Sequence, residues 1–280
     1  MKVNHDLHVH TYLSSCCNDK INQIPRSILA LAEVMDVTTI GFSDHVWTNA
    51  LIPPSNWYRP QDKSQISRLR RDLSEISTTI RVLVGCEAEM MAQDKFGITR
   101  EFAQELDYVL LACSHFHMRE FVEQPTTDSP HDVGKHLLKF FISGVRSGLA
   151  TCVAHPFLPC GHMDRFDDII SNISDAEFAD AFAVAAEQHV GVEITTGFLP
   201  PNHGIPFSIE TPTRFLSIAK QAGCRFSFGS DAHNPDQQRR LPELARFVRI
   251  IGLTENDLLP VLQNRVPATR PMPTPPGQGR

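Results

Sequence analysis

Seven short apolar runs in this 280-residue chain each end on a side chain able to bind a metal. They lead into Asp6-Leu7-His8-Val9-His10, Ser43-Asp44-His45, Gly85-Cys86-Glu87, Ser114-His115, Ala154-His155-Pro156, Glu193 and Ser230-Asp231-Ala232-His233. A series running from residue 6 to residue 233 needs a fold that gathers distant positions into one pocket. A pocket of imidazoles and carboxylates is a metal site, and a site for several metals with open positions suits hydrolysis.

The runs themselves read as strands: Val37–Phe42, Ile80–Cys86, Tyr108–Cys113, Ala150–Ala154, Val190–Thr195 and Cys224–Phe228, with a weaker opening strand around Val3–Val9. Helical spacing alternates with them over Pro25–Met35, Gln61–Ser77, His131–Ser147, Asp175–Gln188 and Thr211–Ala222. Pro25 and Pro212 suit a first helical turn, and Gly148 and Gly223 suit helix C-termini. Alternating strands and helices make a parallel sheet. Seven strands with ligands at their C-terminal ends predict a closed α/β barrel, because an open sheet would spread those ends apart; barrel sites lie at the C-terminal face. There is no internal repeat or Gly/Ser linker, so one domain is expected over residues 1–265. Residues 266–280 are rich in Pro and polar residues and are expected to be disordered.

Composition narrows the partners. The net charge of −6 and pI of about 6.1 give no strong nucleic-acid or anionic-membrane signal. No apolar run reaches membrane-spanning length, and the opening MKVNHDLHVH lacks a hydrophobic signal core, so the cytoplasm is the default location. Of seven cysteines, Cys86, Cys113, Cys152 and Cys224 lie in or beside apolar runs and read as buried reduced thiols; Cys16, Cys17 and Cys160 stay open. The oligomeric state is not legible.

Side-chain parity on strands puts His8 and His10 on one face with Asp6 behind them, and pairs Asp231 with His233 in the same way. Glu87 and Glu89 share parity. Glu87, directly after the expected strand, is the preferred ligand, leaving Glu89 solvated or behind a ligand. Asp44 reads as a turn or loop hydrogen-bonder, Asp6 as a residue orienting a ligand histidine, and Glu193 as either an orienting or a structural residue.

The ordered set D-x-H-x-H, S-D-H, G-x-E, S-H-F, A-H-P and G-S-D-A-H resembles the PHP family, the polymerase and histidinol phosphatase domains, over roughly residues 3–255. The resemblance implies a distorted, TIM-like seven-stranded (β/α) barrel with two to three divalent metals (Zn, Mn or Fe) at the C-terminal face. It implies that His8, His10, Glu87 and Asp231 hold one metal and form the catalytic core. Glu87 would bridge to a second metal on His115 and His155, and His45 and His233 would hold a third. Many members place an Asp or His six residues after the second histidine of H-x-H; here that residue is Cys16. Cys16 is then either a thiolate ligand suited to zinc or a bystander, with Asp19 as a substitute from the same loop.

Clustered divalent metals suit phosphate ester hydrolysis by a metal-bridging hydroxide. The expected function is a phosphomonoesterase on a small phosphorylated substrate, an amino-alcohol phosphate such as histidinol phosphate being one candidate. The alternatives are a phosphodiesterase acting on nucleotides or short oligonucleotides, and a non-catalytic metal-binding module. The amidohydrolase superfamily also opens H-x-H on a barrel, but Glu87 and the closing Asp231-x-His233 favour the PHP pattern. No P-loop, G-x-S-x-G or Cys-x5-Arg signature is present. Phosphate-cradle candidates are His117, which shares parity with His115, then Arg119, with Arg59 and His203 weaker and Arg165 beyond His155. Trp47, Trp57 and Tyr58 could wall the pocket or pack a long loop.

Overall fold

The computed structural model describes residues 1–263; the expected tail lies outside them. Its strands are β1 His5–Val9, β2 Thr39–Phe42, β3 Arg81–Val84, β4 Cys86–Ala92, β5 Lys95–Phe96, β6 Val109–Ala112, β7 Cys152–Ala154, β8 Gly191–Thr195 and β9 Phe226–Gly229. They form two sheets, β1-β2-β3 and β5-β4-β6-β7-β8-β9. All pairings are parallel except β4 with β5. This is a mixed α/β fold. It is assigned as two sheets rather than as one continuous closed ladder.

The edges of the two sheets nevertheless meet. His10 N donates to Ala232 O at 3.0 Å and Asp231 N to His8 O at 2.8 Å, joining the ends of β1 and β9. On the other side Gly85 N donates to Phe42 O at 2.9 Å and Glu87 N to Ser43 O at 3.0 Å. Leu7, Leu83, Tyr108, Leu110, Cys152 and Ala154, drawn from both sheets, share one apolar cluster. A Cβ at Gly41 would stand 2.5 Å from the Tyr108 hydroxyl and one at Gly85 2.5 Å from its ring, and that hydroxyl donates to Leu7 O at 2.7 Å. Backbone hydrogen bonds and one apolar cluster therefore link the two sheets.

The expected run Ile80–Cys86 is corrected by the structure. It breaks at Gly85, and a new strand begins at Cys86, so Glu87 lies on β4 rather than after a strand. The apolar run is continuous across Gly85, which hid the passage from one sheet to the other.

The helices follow the expected pattern within a residue or a few at each end: Pro25–Val34, Ser64–Ser74, Pro130–Arg146, Asp175–Glu187 and Glu210–Gln221. Ser129 caps the third by accepting from Asp132 N, and Ser174 and Glu177 form a reciprocal capping box on the fourth. Gly148 (φ 68°) and Gly223 (φ 86°) take the left-handed conformation expected beyond helix ends. The Phe166–Ser171 and Ala245–Ile251 helices and the β4–β5 hairpin were not expected. The largest apolar cluster lies between strands and helices, and within it Phe157 meets Phe178 and Phe182 edge-on and Phe215 at a tilt. No helix among the described residues is long and apolar enough to cross a membrane. All seven cysteines are unpaired, and Cys86, Cys113, Cys152 and Cys224 are buried as expected.

Candidate metal centre

Two backbone features aim the ligands. β1 delivers His8 inward, and His10 follows directly after its last residue; both are fully buried. Chain reversals then follow β7 and β9, where His155 (φ 29°) and Asp231 (φ 52°) adopt left-handed backbone that ordinary side chains avoid. Such strain costs about 1–3 kcal/mol per residue and concentrates at functional sites.

The donor atoms converge. His8 Nε2 and His10 Nε2 are 3.2 Å apart. Glu87 Oε2 is 3.3 Å from each of them, and Asp231 Oδ1 lies 3.3 Å from His8 Nε2 and 3.2 Å from His10 Nε2. A tetrahedron with zinc–ligand bonds of about 2.05 Å has edges of about 3.3 Å. The donor set therefore fits a divalent cation in both spacing and chemistry.

Glu87 faces two groups at once. Its Oε2 also lies 3.2 Å from His45 Nε2, while its Oε1 is 2.9 Å from His155 Nε2 and 3.6 Å from His115 Nε2. Cys16 groups with His10 and His45 closely enough to share an ion. His233 stacks on His10 with ring centroids 4.5 Å apart. Eight His, Glu and Asp positions from the sequence pattern and Cys16 thus meet in one region. Asp19 does not join them; its carboxylate accepts from the backbone and side chain of Asn22.

Each histidine is held from behind through Nδ1. His8 donates to Glu193 Oε1 at 2.8 Å and His115 to Glu89 Oε2 at 2.8 Å. His233 donates to Asp231 O at 2.8 Å. His155 meets Ser114 Oγ at 3.0 Å, His10 meets Ser14 Oγ at 3.2 Å, and His45 meets the Tyr58 hydroxyl at 3.4 Å. Such partners fix the ring and leave Nε2 free to bind a metal. Glu193 takes the orienting role, with Oε2 accepting from His155 N as well. Glu89 is fully buried and accepts from Tyr58 and His115, so the solvated alternative for it is wrong. Asp44 accepts from Thr11 N, Thr11 Oγ1 and Ser14 Oγ, which shapes the loop leading to Cys16. Asp6 touches no histidine ring; its Oδ1 accepts from His8 N and Ser230 N, tying β1 to the end of β9.

The electrostatics follow from burial set against close opposite charge. Burial would lower the pKa of His8, but Glu193, Asp231 and Glu87 outweigh it and raise it well above the ordinary value. Burial would raise Glu87, but His45 and His8 hold it well below the carboxylate range. Burial would likewise raise the Cys16 thiol, yet the imidazoles of His10 and His45 bring it down to about 3. In the absence of a cation these groups satisfy one another with protons. A divalent ion would take the protons' place.

A cleft of about 1270 Å³ opens over the cluster. His117, Arg119 and His203 line it, as does Trp57. Arg59 is exposed but does not line the cleft, and Arg165 is spent on Asp128 O and His162. Tyr58 is buried in hydrogen bonds to the centre, and Trp47 packs on Tyr58 and Phe121 rather than on the cleft. Arg240 also lines the cleft, and sequence reasoning missed it. The available signal was its place seven residues after His233, in the segment that closes the ligand series.

No family model matches the sequence, and no curated protein does. Among solved structures, the chain resembles a histidinol phosphate phosphatase (HisK) from Lactococcus lactis subsp. lactis Il1403, solved with zinc, L-histidinol and phosphate. The TM-score is 0.58 at 16% identity, covering 90% of this chain and 95% of that one. A weaker likeness is to the work on YwqE from Bacillus subtilis and CpsB from Streptococcus pneumoniae, described as unique metal-dependent tyrosine phosphatases. There the TM-score is 0.46 at 17% identity, covering 90% and 89%. At such identities the first likeness establishes a shared fold.

Proposed function

We propose that this protein is a metal-dependent phosphomonoesterase of the PHP type acting on a small phosphorylated substrate. Residues 1–265 would act as one catalytic domain whose two sheets form a distorted seven-stranded barrel. The observation that carries the reading is the position of Glu87, with one carboxylate oxygen facing His8, His10 and His45 and the other facing His115 and His155. A carboxylate so placed suits two neighbouring cations. The likeness to a zinc-containing histidinol phosphate phosphatase supports the same reading.

In this reading His8, His10, Glu87 and Asp231 hold one cation, and Glu87, His115 and His155 hold a second. His45, His233 and Cys16 hold a third, with zinc, manganese or iron as candidates. When bound, the cations supply Lewis acidity toward phosphate oxygens and acidify water. The chain's own residues do the rest. Glu193, Glu89 and Ser114 keep the rings aligned. Asp231, the more exposed of the two carboxylate ligands, with a third of its side chain open, borders the reacting centre. Arg119, Arg240, His117 and His203 supply cationic and donor groups for the phosphate on its metal-free side, and Trp57 walls the leaving alcohol. Seven unpaired cysteines accord with a cytoplasmic setting.

A phosphodiesterase reading is retained on one observation: the cleft, at about 1270 Å³, exceeds the roughly 300–1,000 Å³ usual for small-ligand pockets. Chromogenic mono- and diesters assayed with zinc or manganese separate the two. Faster turnover of the monoester is expected. Turnover of the diester alone would replace the proposal by the second reading, and hydrolysis of neither would remove both.

A further inference from the structure

We propose that Cys160 is an additional ligand of the cation held by His115 and His155, making this a His/His/Cys site bridged by Glu87. The sulfur and the two imidazoles lie within 4.8 Å of one another. Cys160 lines the same cleft. The inference rests on the proposed metal centre and goes beyond it, because neither the histidine pattern nor the strand ends assign a ligand at position 160.

The local backbone brings the thiol there. After His155 the chain reverses sharply: Leu158 N donates to His155 O at 3.1 Å, Cys160 N to Leu158 O at 2.9 Å, and His162 N to Pro159 O at 2.8 Å. These turns fold residue 160 back over its own strand end. Gly161 then allows the close approach. Its φ is +100°, and a Cβ there would stand 2.9 Å from His117 N and 3.0 Å from His117 Cα. The 155–162 segment can lie flush against the 115–117 segment only with glycine at 161, and that seats Cys160 beside both histidines.

The neighbours of the thiol include the Ser114 side chain as well as the two imidazoles. Cys160 forms no disulfide. A thiol bound to a divalent cation is deprotonated outright, so the sulfur would enter as a thiolate. A thiolate here would make the site favour zinc over manganese or magnesium, which prefer harder oxygen and nitrogen donors.

Cobalt(II) substitution reads thiolate ligation directly, through the near-ultraviolet sulfur-to-cobalt charge-transfer band, and does not depend on turnover. Wild-type protein is loaded with cobalt alongside Cys160→Ser, Cys160→Asp, Cys16→Ser and the Cys16→Ser/Cys160→Ser double variant. Cys160→Asp keeps a ligating group without sulfur, which separates loss of the band from loss of the ion. The expected result is a lower band per bound cobalt in both position-160 variants, no band in the double variant, and zinc-over-manganese preference falling at least about tenfold in Cys160→Asp. An unchanged band per cobalt in Cys160→Asp overturns the proposal while leaving the hydrolytic reading intact. A Cys160-dependent band in a protein that hydrolyses no phosphate ester sustains the ligand and removes the hydrolytic reading. Absence of cobalt binding in the wild-type protein overturns both.

Discussion

His8 Nδ1 lies 2.8 Å from Glu193 Oε1, and both side chains are closed to solvent. The pair crosses 185 positions of sequence to fix one ring, and through it the orientation of a whole ligand set. Glu193→Gln keeps the shape but gives up the carboxylate, so the ring is held less firmly and is a poorer donor. Zinc affinity, measured by competition with a chromogenic chelator, should fall about 10- to 100-fold. Unchanged affinity would mean that Glu193 serves packing alone.

Gly229 is required by the same pair. A Cβ at this position would stand 1.9 Å from Glu193 Oε1 and 2.6 Å from the Cβ of His8. Gly229→Ala should destabilise the protein by about 1–3 kcal/mol, the range for overpacking a tight interior. It should also weaken zinc binding, because relief of the clash must move one member of the pair. Thermal unfolding with and without zinc checks both effects. A wild-type zinc-induced shift in Tm would contradict the second.

The metal-free protein should lose stability as pH rises. Burial lowers the pKa of His115, but Glu89 and Glu87 outweigh it and bring it from 6.5 to about 9. A raised folded-state pKa means that the native protein holds the proton more tightly. This contribution is complete below pH 6.5 and is lost as pH climbs through about 9. His8 and His10 shift in the same direction. Tm of chelator-treated protein should therefore decline between pH 6.5 and 9, and zinc should remove the decline by taking the protons' place. A flat or rising apo profile would contradict this linkage.

Cys16 stands with His10 and His45, and the Asp19 alternative is tied up with Asn22. Metal counting on Cys16→Ala at saturating zinc should give one ion fewer per chain than wild type. Full stoichiometry would make Cys16 a bystander.

The ligand series was legible because strand parity and strand ends are local: His8 with His10, His45, His115, His155, and Asp231 with His233 could be picked out one run at a time. Their supports were less legible. Glu89 reads in sequence as either solvated or behind a ligand, since β4 is not separable from β3 where apolar residues continue through Gly85. Its burial comes from Tyr58 and His115, which lie 31 and 26 positions away. Arg59 looked suitable for the phosphate because it follows His45 among aromatics, but the loop carries it away from the cleft. Arg240 arrives by tertiary packing of a segment with no strand pattern. Cys160 depends on a series of tight turns and one close glycine contact, which no periodicity announces.

In the proposed function, a centre in which Glu87 would face two cations hydrolyses phosphate monoesters. This is tested most directly by inorganic phosphate release from a panel of small phosphomonoesters by zinc- or manganese-loaded wild type and Glu87→Gln. Release by the loaded wild type is expected, with its loss on chelation and a fall of at least about 100-fold in Glu87→Gln. Phosphate release that persists in chelator-treated protein, or that Glu87→Gln sustains at the wild-type rate, would contradict it.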